Sequence, residues 1–191
     1  TGVVPEEELK DAQSIMTEEQ YNQEFECSFT AAVSGSYYGK LITKADNEKR
    51  IGSIPVEEHV GVETWWDLGI GDSTAIWFVQ RVGEEIHVID YYENSGESLA
   101  HYADVLEDKN YAYERHIAPH DIQARELGTG KSRLEVAQEL GIDFEVAPKL
   151  EVDHGIESVR NALPRCWFDR EKCKLGLDAL RKYCKQRNEK N

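Results

Sequence analysis

The sequence predicts a mixed α/β fold, a five-stranded sheet flanked by helices, and three observations carry that prediction. Between residues 62 and 92, three runs rich in β-branched and aromatic residues are joined by connections of a few residues, as in antiparallel hairpins. Beyond residue 99 the apolar spacing changes from two to three or four, the period of a helix. Two further short runs, each stopped by a proline, then alternate with helical stretches, the order that parallel crossovers require.

Taken in order, residues 1–60 read as an extension or linker. Pro5-Glu6-Glu7-Glu8 opens a short polar helix, and Thr17 N-caps a second start at Thr17-Glu18-Glu19-Gln20-Tyr21. Phe25, Cys27 and Phe29 alternate with Glu26 and Ser28 as a half-buried strand would, and Ser34-Gly35-Ser36 and Lys44-Ala45-Asp46-Asn47 read as loops. Residues 61–191 form the folded domain. Val62 to Gly69 is a strand, Ile70-Gly71-Asp72-Ser73 a turn, and Thr74 to Arg81 a second strand. Val82-Gly83-Glu84 turns again into a third strand, Glu85 to Tyr92, with Ile86, Val88 and Asp90 at alternate positions. Leu99, Tyr102, Ala103 and Leu106 mark a helix, Arg115 to Ala118 a strand ending at Pro119, and Leu134, Ala137 and Leu140 a helix stopped by Gly141. Asp143 to Ala147 is the fifth strand. Ile156, Val159 and Leu163 mark a third helix, and Cys173, Leu177, Leu180 and Cys184 a fourth.

Composition narrows the class. Of 191 residues, 40% are hydrophobic and 31% charged, as in a globular chain rather than a fibrous or disordered one. No apolar run approaches the ~20 residues that span a bilayer, so a membrane protein is excluded at this level. Cys27, Cys166, Cys173 and Cys184 form no C-x-x-C pair, which favours reduced thiols inside a cell. Because the chain opens at Thr1 without a methionine, it reads as part of something longer. The net charge is −15, but residues 160–191 carry ten basic and four acidic side chains, leaving −21 on the preceding 159. Such a chain repels nucleic acid overall and attaches it only locally.

Two carboxylates carry the chemistry. Asp67 follows Thr64-Trp65-Trp66 in a strand that otherwise seeks burial, where an ionised group needs a cation or donors. The plainer alternative is an aspartate serving turn amides, as Asp72 before Ser73 would. Asp121, in Ala118-Pro119-His120-Asp121, lies past the carboxyl end of the fourth strand, where open α/β sheets gather ligand groups. If that strand pairs beside the first, the two carboxylates meet at one edge, and such a pair holds a hard divalent cation or shares a proton. Oxygen ligands suit Mg²⁺ or Mn²⁺ over zinc. Gly128-Thr129-Gly130-Lys131-Ser132 imitates a phosphate-binding loop, but the position that must hold its first glycine is Arg125, so no nucleotide site is expected. Arg125, Lys131 and Arg133 instead become possible DNA contacts.

Trp65-Trp66-Asp67-Leu68-Gly69-Ile70-Gly71-Asp72-Ser73-Thr74, Pro119-His120-Asp121 and Arg125-Glu126-Leu127-Gly128-Thr129-Gly130-Lys131-Ser132 together resemble the nuclease domain of tailed-phage large terminase subunits. Glu24-Phe25-Glu26-Cys27-Ser28-Phe29 and Tyr37-Tyr38-Gly39 resemble the stretch that links the family's ATPase domain to that nuclease, and Cys173 through Tyr183 resembles a late nuclease segment. The resemblance implies a ribonuclease H-like fold and a metal-dependent endonuclease that cuts concatemeric double-stranded viral DNA during genome packaging. It implies Asp67 and Asp121 as metal-binding catalytic acids of a two-metal site using Mg²⁺ or Mn²⁺, with Asp72 and His120 in support. Its implied partners are double-stranded DNA, the ATPase domain of the same full-length chain, the small terminase subunit and the procapsid portal, in the cytoplasm of the infected or lysogenic bacterial host.

One expected feature is missing. The family's third acid sits in an H-D-W…S-H…A-D-A-x-R-like run near the C-terminus, which this chain lacks, so the domain reads as lacking its C-terminal end. Asp178 is the available substitute, although it points ~130° from the apolar stripe of its helix. Two alternatives stay open: another ribonuclease H-like enzyme of the junction resolvase or transposase type, and a non-catalytic module that binds DNA or protein.

Overall fold

A computed structural model describes residues 35–69, 73–125 and 130–184. The readings made above for residues 1–34 and for the turn at 70–72, Asp72 included, lie outside the described residues. The chain divides into two units, Ile51–Lys174 and Thr1–Arg50 with Leu175–Asn191.

The Ile51–Lys174 unit is built on one seven-stranded mixed sheet. Its strands are β1 (Ile51–Gly52), β2 (Val62–Asp67), β3 (Ser73–Val82), β4 (Glu85–Ser95), β5 (Tyr113–Ala118), β6 (Phe144–Val146) and β7 (Cys166–Asp169), in the order β1-β7-β4-β3-β2-β5-β6. β2, β3 and β4 form the antiparallel meander, and β5 pairs parallel with β2, β6 with β5, and β7 with β4. The meander turns at Gly83, whose φ of +59° lies in the left-handed region where glycine carries no Cβ penalty. The five expected strands are all present, and β1 and β7 extend the sheet beyond β4. At two and four residues these strands are too short for a period of two to register in the sequence.

Helices α2 (Leu99–Lys109) and α3 (Arg133–Glu139) flank the sheet. Tyr102 and Leu106 of α2 and Ala137 of α3 join Val62, Trp66, Ile76, Phe78 and Ile89 in one apolar core. A bulge in β4 interrupts the meander: Phe78 pairs with Asp90 but Val79 with Val88, leaving Ile89 as the extra residue. Asp90 therefore faces away from Val88, where strict alternation would have kept them together. It accepts from Lys109 at 2.5 Å and from Tyr111 at 3.1 Å, tying the end of α2 to the sheet. Helix α4 (Val152–Ala162) precedes a 3₁₀ turn, Leu163–Arg165, that feeds β7.

In the other unit, α1 spans Gly39–Asn47 and α5 spans Lys174–Lys182. The reading of Lys44-Ala45-Asp46-Asn47 as a loop is corrected: those residues are the last turn of α1. Polar composition suggested a loop, but Ile42 and Ala45, three apart, are both buried, and that spacing belongs to a helix. Tyr37 N–H donates to the Tyr183 carbonyl at 2.8 Å, Ser36 Oγ donates to the Arg181 carbonyl at 2.7 Å, and the Tyr38 and Tyr183 rings stack with centroids 5.5 Å apart.

Candidate metal centre

Asp67 is the last residue of β2 and is exposed. Its side chain does not enter the core, so the burial cost inferred from its apolar neighbours is corrected. Leu68, which follows, is buried in the core instead. Asp121 lies in a 3₁₀ turn, His120–Gln123, entered from Pro119 directly after β5. β2 and β5 are parallel neighbours whose last paired positions are Trp65 and Ile117. Asp67 is thus two residues beyond that pair and Asp121 four beyond it, both at the carboxyl ends of adjacent parallel strands. Ile122 N–H donates to the Pro119 carbonyl at 3.2 Å and Ala124 N–H to the Asp121 carbonyl at 2.9 Å, and Ile122 is fully buried, which fixes the turn.

One atom of this turn stands apart. Asp121 Oδ1 is buried and has no hydrogen-bond partner among the described residues. A buried acceptor left unmade costs about 1–3 kcal/mol, and more when charged. Among the described residues no group of three or more His, Cys, Asp or Glu converges at ligating geometry. A pair of carboxylates nevertheless fits magnesium or manganese, which are commonly held by one or two carboxylates, with water and substrate phosphate completing the octahedron. The donor set is all oxygen, which disfavours zinc.

The sheet adds an acid that sequence reasoning missed. Asp67 pairs directly with Ala75, and Ala75 with Glu93, so the three share one face in a row across β2, β3 and β4. Ala75 has only a methyl group, which leaves the space between the two carboxylates open. Tyr91 OH donates to Glu93 Oε2 at 2.5 Å, and its ring lies 4.4 Å from that of Trp77. Burial, then the hydrogen bond to Glu93, then the charges of Glu93 and Asp67 push the Tyr91 phenol well above its ordinary range. No local motif marks Glu93; only the register of the meander does.

The other expected residues are placed as follows. His120 is exposed at the start of the Asp121 turn. Arg125 is exposed, donates to the Gly130 carbonyl at 2.8 Å and forms a bridge with Ser132, closing the loop before α3. Lys131 pairs with Glu139 at 2.5 Å. Ser132, the end of the false phosphate loop, is a helix cap: its Oγ accepts from Glu135 N–H at 3.1 Å and its own N–H donates to Glu135 at 2.7 Å. Ser132-Arg133-Leu134-Glu135 is the sequence signal that identifies this start. Arg133 lines a groove beside Leu68. Asp178 belongs to the other unit, where Arg181 donates to it at 3.0 Å; Arg181 also lies 3.9 Å from Asp46. Trp66 is core, while Trp65, Trp77 and Trp167 are half-buried.

No family model matches the chain, and no curated protein matches it. Solved structures do. The large terminase of the thermophilic bacteriophage D6E superposes with a TM-score of 0.61 at 14% identity, over 95% of this chain and 45% of that one. The chain therefore spans less than half the length of that relative. The P22 large terminase nuclease domain superposes with a TM-score of 0.57 at 16% identity, over 74% of this chain and 78% of its own. The large terminase nuclease of the thermophilic phage G20c, solved with bound cobalt and with bound magnesium, gives 0.54 at 14%, over 82% and 85%. The fold is thus that of the large terminase nuclease domains, a ribonuclease H-like sheet flanked by helices.

Proposed function

We propose that this chain is the metal-dependent endonuclease part of a DNA-packaging motor, cutting concatemeric double-stranded viral DNA in the cytoplasm of a bacterial host. The observation that carries the reading is the pair of aspartates at the carboxyl ends of adjacent parallel strands, one with a buried oxygen that nothing described satisfies. The shared fold, and the metal-bound state of the G20c nuclease, support it. Asp67 and Asp121 would hold Mg²⁺ or Mn²⁺, in a two-metal arrangement that supplies an activated water and stabilises the leaving oxygen. The protein contributes position and negative charge. Asp67 reaches solvent from a strand end held by its ladder to β3, so it is accessible to a substrate phosphate without rearrangement of the core. Asp121 is held by the 3₁₀ turn, with Ile122 as its anchor, so its carboxylate is fixed before substrate arrives. Asp72 and His120 act in support.

In this reading residues 61–191 are the nuclease and 1–60 the connection to an ATPase domain of the same full-length chain, with the small terminase subunit and the portal as further partners. The test is cleavage of plasmid and linear duplex DNA with Mg²⁺ or Mn²⁺, with Asp67→Asn as control. Metal-dependent cutting that disappears in the variant is the expected result. Full activity of Asp67→Asn defeats the assignment, and cutting confined to branched DNA with linear duplex intact marks a resolvase-type enzyme instead.

A further inference from the structure

A magnesium ion held by two carboxylates keeps several of its octahedral positions for water. Those waters are strong donors, and the groups that accept from them govern metal affinity alongside the direct ligands. An acceptor of that kind must face the centre, carry charge and stand back from direct contact. Glu93 meets all three conditions.

Register places it. Asp67 pairs with Ala75 and Ala75 with Glu93, so both acids rise from the same face of the sheet with one methyl group between them. Directly paired neighbours lie roughly 4.5–5.5 Å apart, which sets the two Cα atoms about 10 Å from one another. Glu93 is held along its own strand rather than across that gap. Tyr91, two residues earlier on β4 and 8% exposed, donates from its hydroxyl to Glu93 Oε2 at 2.5 Å. The charge of Asp67 acts on the same phenol as that of Glu93, so both acids lie near one hydroxyl. An ion with one of its waters spans about 7 Å from ligand oxygen to water acceptor, which suits two carboxylates so separated.

The surroundings call for a cation. Glu63, on the same face, meets two arginines, whereas no lysine, arginine or histidine pairs with Glu93 among the described residues. Independently of this row, Asp121 Oδ1, in the turn that follows the neighbouring β5, is buried with no partner among the described residues. Like charges gathered at one edge favour the ionised state only when a positive charge joins them.

We infer that Glu93 is a positioning residue of the metal centre: held by Tyr91, it accepts from a water carried by the cation at Asp67 and Asp121. The inference rests on the metal-centre reading proposed above and adds to it a residue that does not touch the ion.

The experiment is isothermal titration of Mg²⁺, and separately of Mn²⁺, into the full 191-residue chain without DNA, so that affinity is read with nothing to cut. Glu93→Ala should weaken binding about 10–100-fold, the usual effect of losing an outer partner. Glu93→Gln keeps an acceptor oxygen without the charge and should fall between the wild type and Glu93→Ala. Tyr91→Phe frees the carboxylate to swing and should weaken binding about two- to tenfold, the worth of one hydrogen bond. Glu93 is exposed, so its variants should melt with the wild type in EDTA. If Tyr91→Phe does not, the Glu93 variants decide. Wild-type affinity in Glu93→Ala overturns the proposal. So does a loss as complete as that expected of Asp67→Asn, which would make Glu93 a direct ligand. The two readings fail separately. Binding lost in Asp67→Asn but unmoved in Glu93→Ala leaves the centre without this residue, whereas a wild-type chain that binds neither ion removes the centre itself.

Discussion

Glu63 and Asp67 stand four residues apart on β2 and face the same side of the sheet, yet their carboxylates have opposite surroundings. The Glu63 side chain is 3% exposed and saturated: Arg81 Nε donates to it at 2.8 Å, Arg115 Nη2 at 2.7 Å and Trp65 Nε1 at 2.8 Å. Burial pushes its pKa up, but the bonds from Arg115, Arg81 and Trp65 outweigh burial and hold the carboxyl below its usual range. Asp67 is exposed at the strand end, beside a turn that buries an oxygen of Asp121 with no partner among the described residues. The strand thus carries one buried acid enclosed by two arginines and a tryptophan and one acid that reaches solvent at its carboxyl end. The first holds structure together. The second, in the proposed reading, would meet a cation that arrives from outside.

The sharpest way to break that contrast is Asp121→Asn. Metal-dependent cleavage should fall by more than the roughly 10–100-fold that loss of an outer-shell partner costs. Without divalent ions the variant should melt within about 1 kcal/mol of the wild type, because the atom replaced has no described partner to lose. Added Mg²⁺ should raise the wild-type melting temperature and leave that of the variant unmoved, by simple linkage. A variant that binds Mg²⁺ and cuts normally would make the two acids of β2 and β5 alike architectural.

Glu63→Gln should do the reverse. It keeps the shape but removes the charge to which two arginines and a tryptophan donate, and the arginines are 51% and 39% exposed, so water takes up part of the loss. A destabilisation of about 1–3 kcal/mol is expected in denaturant melts, with cleavage by the folded fraction unchanged. Acid should reveal the same group: its contribution is complete above about pH 4.5, its value when unfolded, and is lost as pH falls through its lower folded value. Loss of cleavage without loss of stability would place Glu63 in the site instead.

How much of this was legible in the sequence follows from the range of each interaction. The meander was, because period-two patterning and a glycine turn are local: Val62–Asp67, Ser73–Val82 and Glu85–Ser95 fall within a few residues of their expected bounds. The neighbourhood of β2 and β5 was also legible, since a helical crossover dictates a parallel partner and leaves few positions for it. β1 and β7 were not, being too short to carry a period. The bulge at Ile89, which turns Asp90 away from Val88, has no signature in the residues that make it. Glu93 reaches the row of Asp67 only through the ladders of β3 with both neighbours, and its value as an acid near the site depends on Ala75 between them. The Ser132–Glu135 cap was written in the sequence, but a false phosphate loop overlay it.

The smallest expected effect lies on the other face of the same strand. Thr64 is fully buried and pairs in register with His116 of β5. Trp66 Nε1 donates to Thr64 Oγ1 at 2.7 Å, and Thr64 Oγ1 lies 2.6 Å from His116 Nδ1. If the threonine passes its own proton on, the imidazole accepts at Nδ1 and stays neutral. Burial pushes the His116 pKa below its ordinary value, against a smaller opposing pull from Asp143. The sign then follows. Above about pH 6.5 the imidazole is neutral folded or unfolded, and its contribution to stability is complete. As pH falls through that value the unfolded chain takes the proton first, so stability declines, by at most about 1.4 kcal/mol per pH unit, until the folded histidine also titrates. Melts between pH 8 and pH 5 should show this slope, well separated from the Glu63 window, and His116→Gln should flatten it. A slope that survives His116→Gln unchanged would assign the proton to another group and leave β2 with one polar face rather than two.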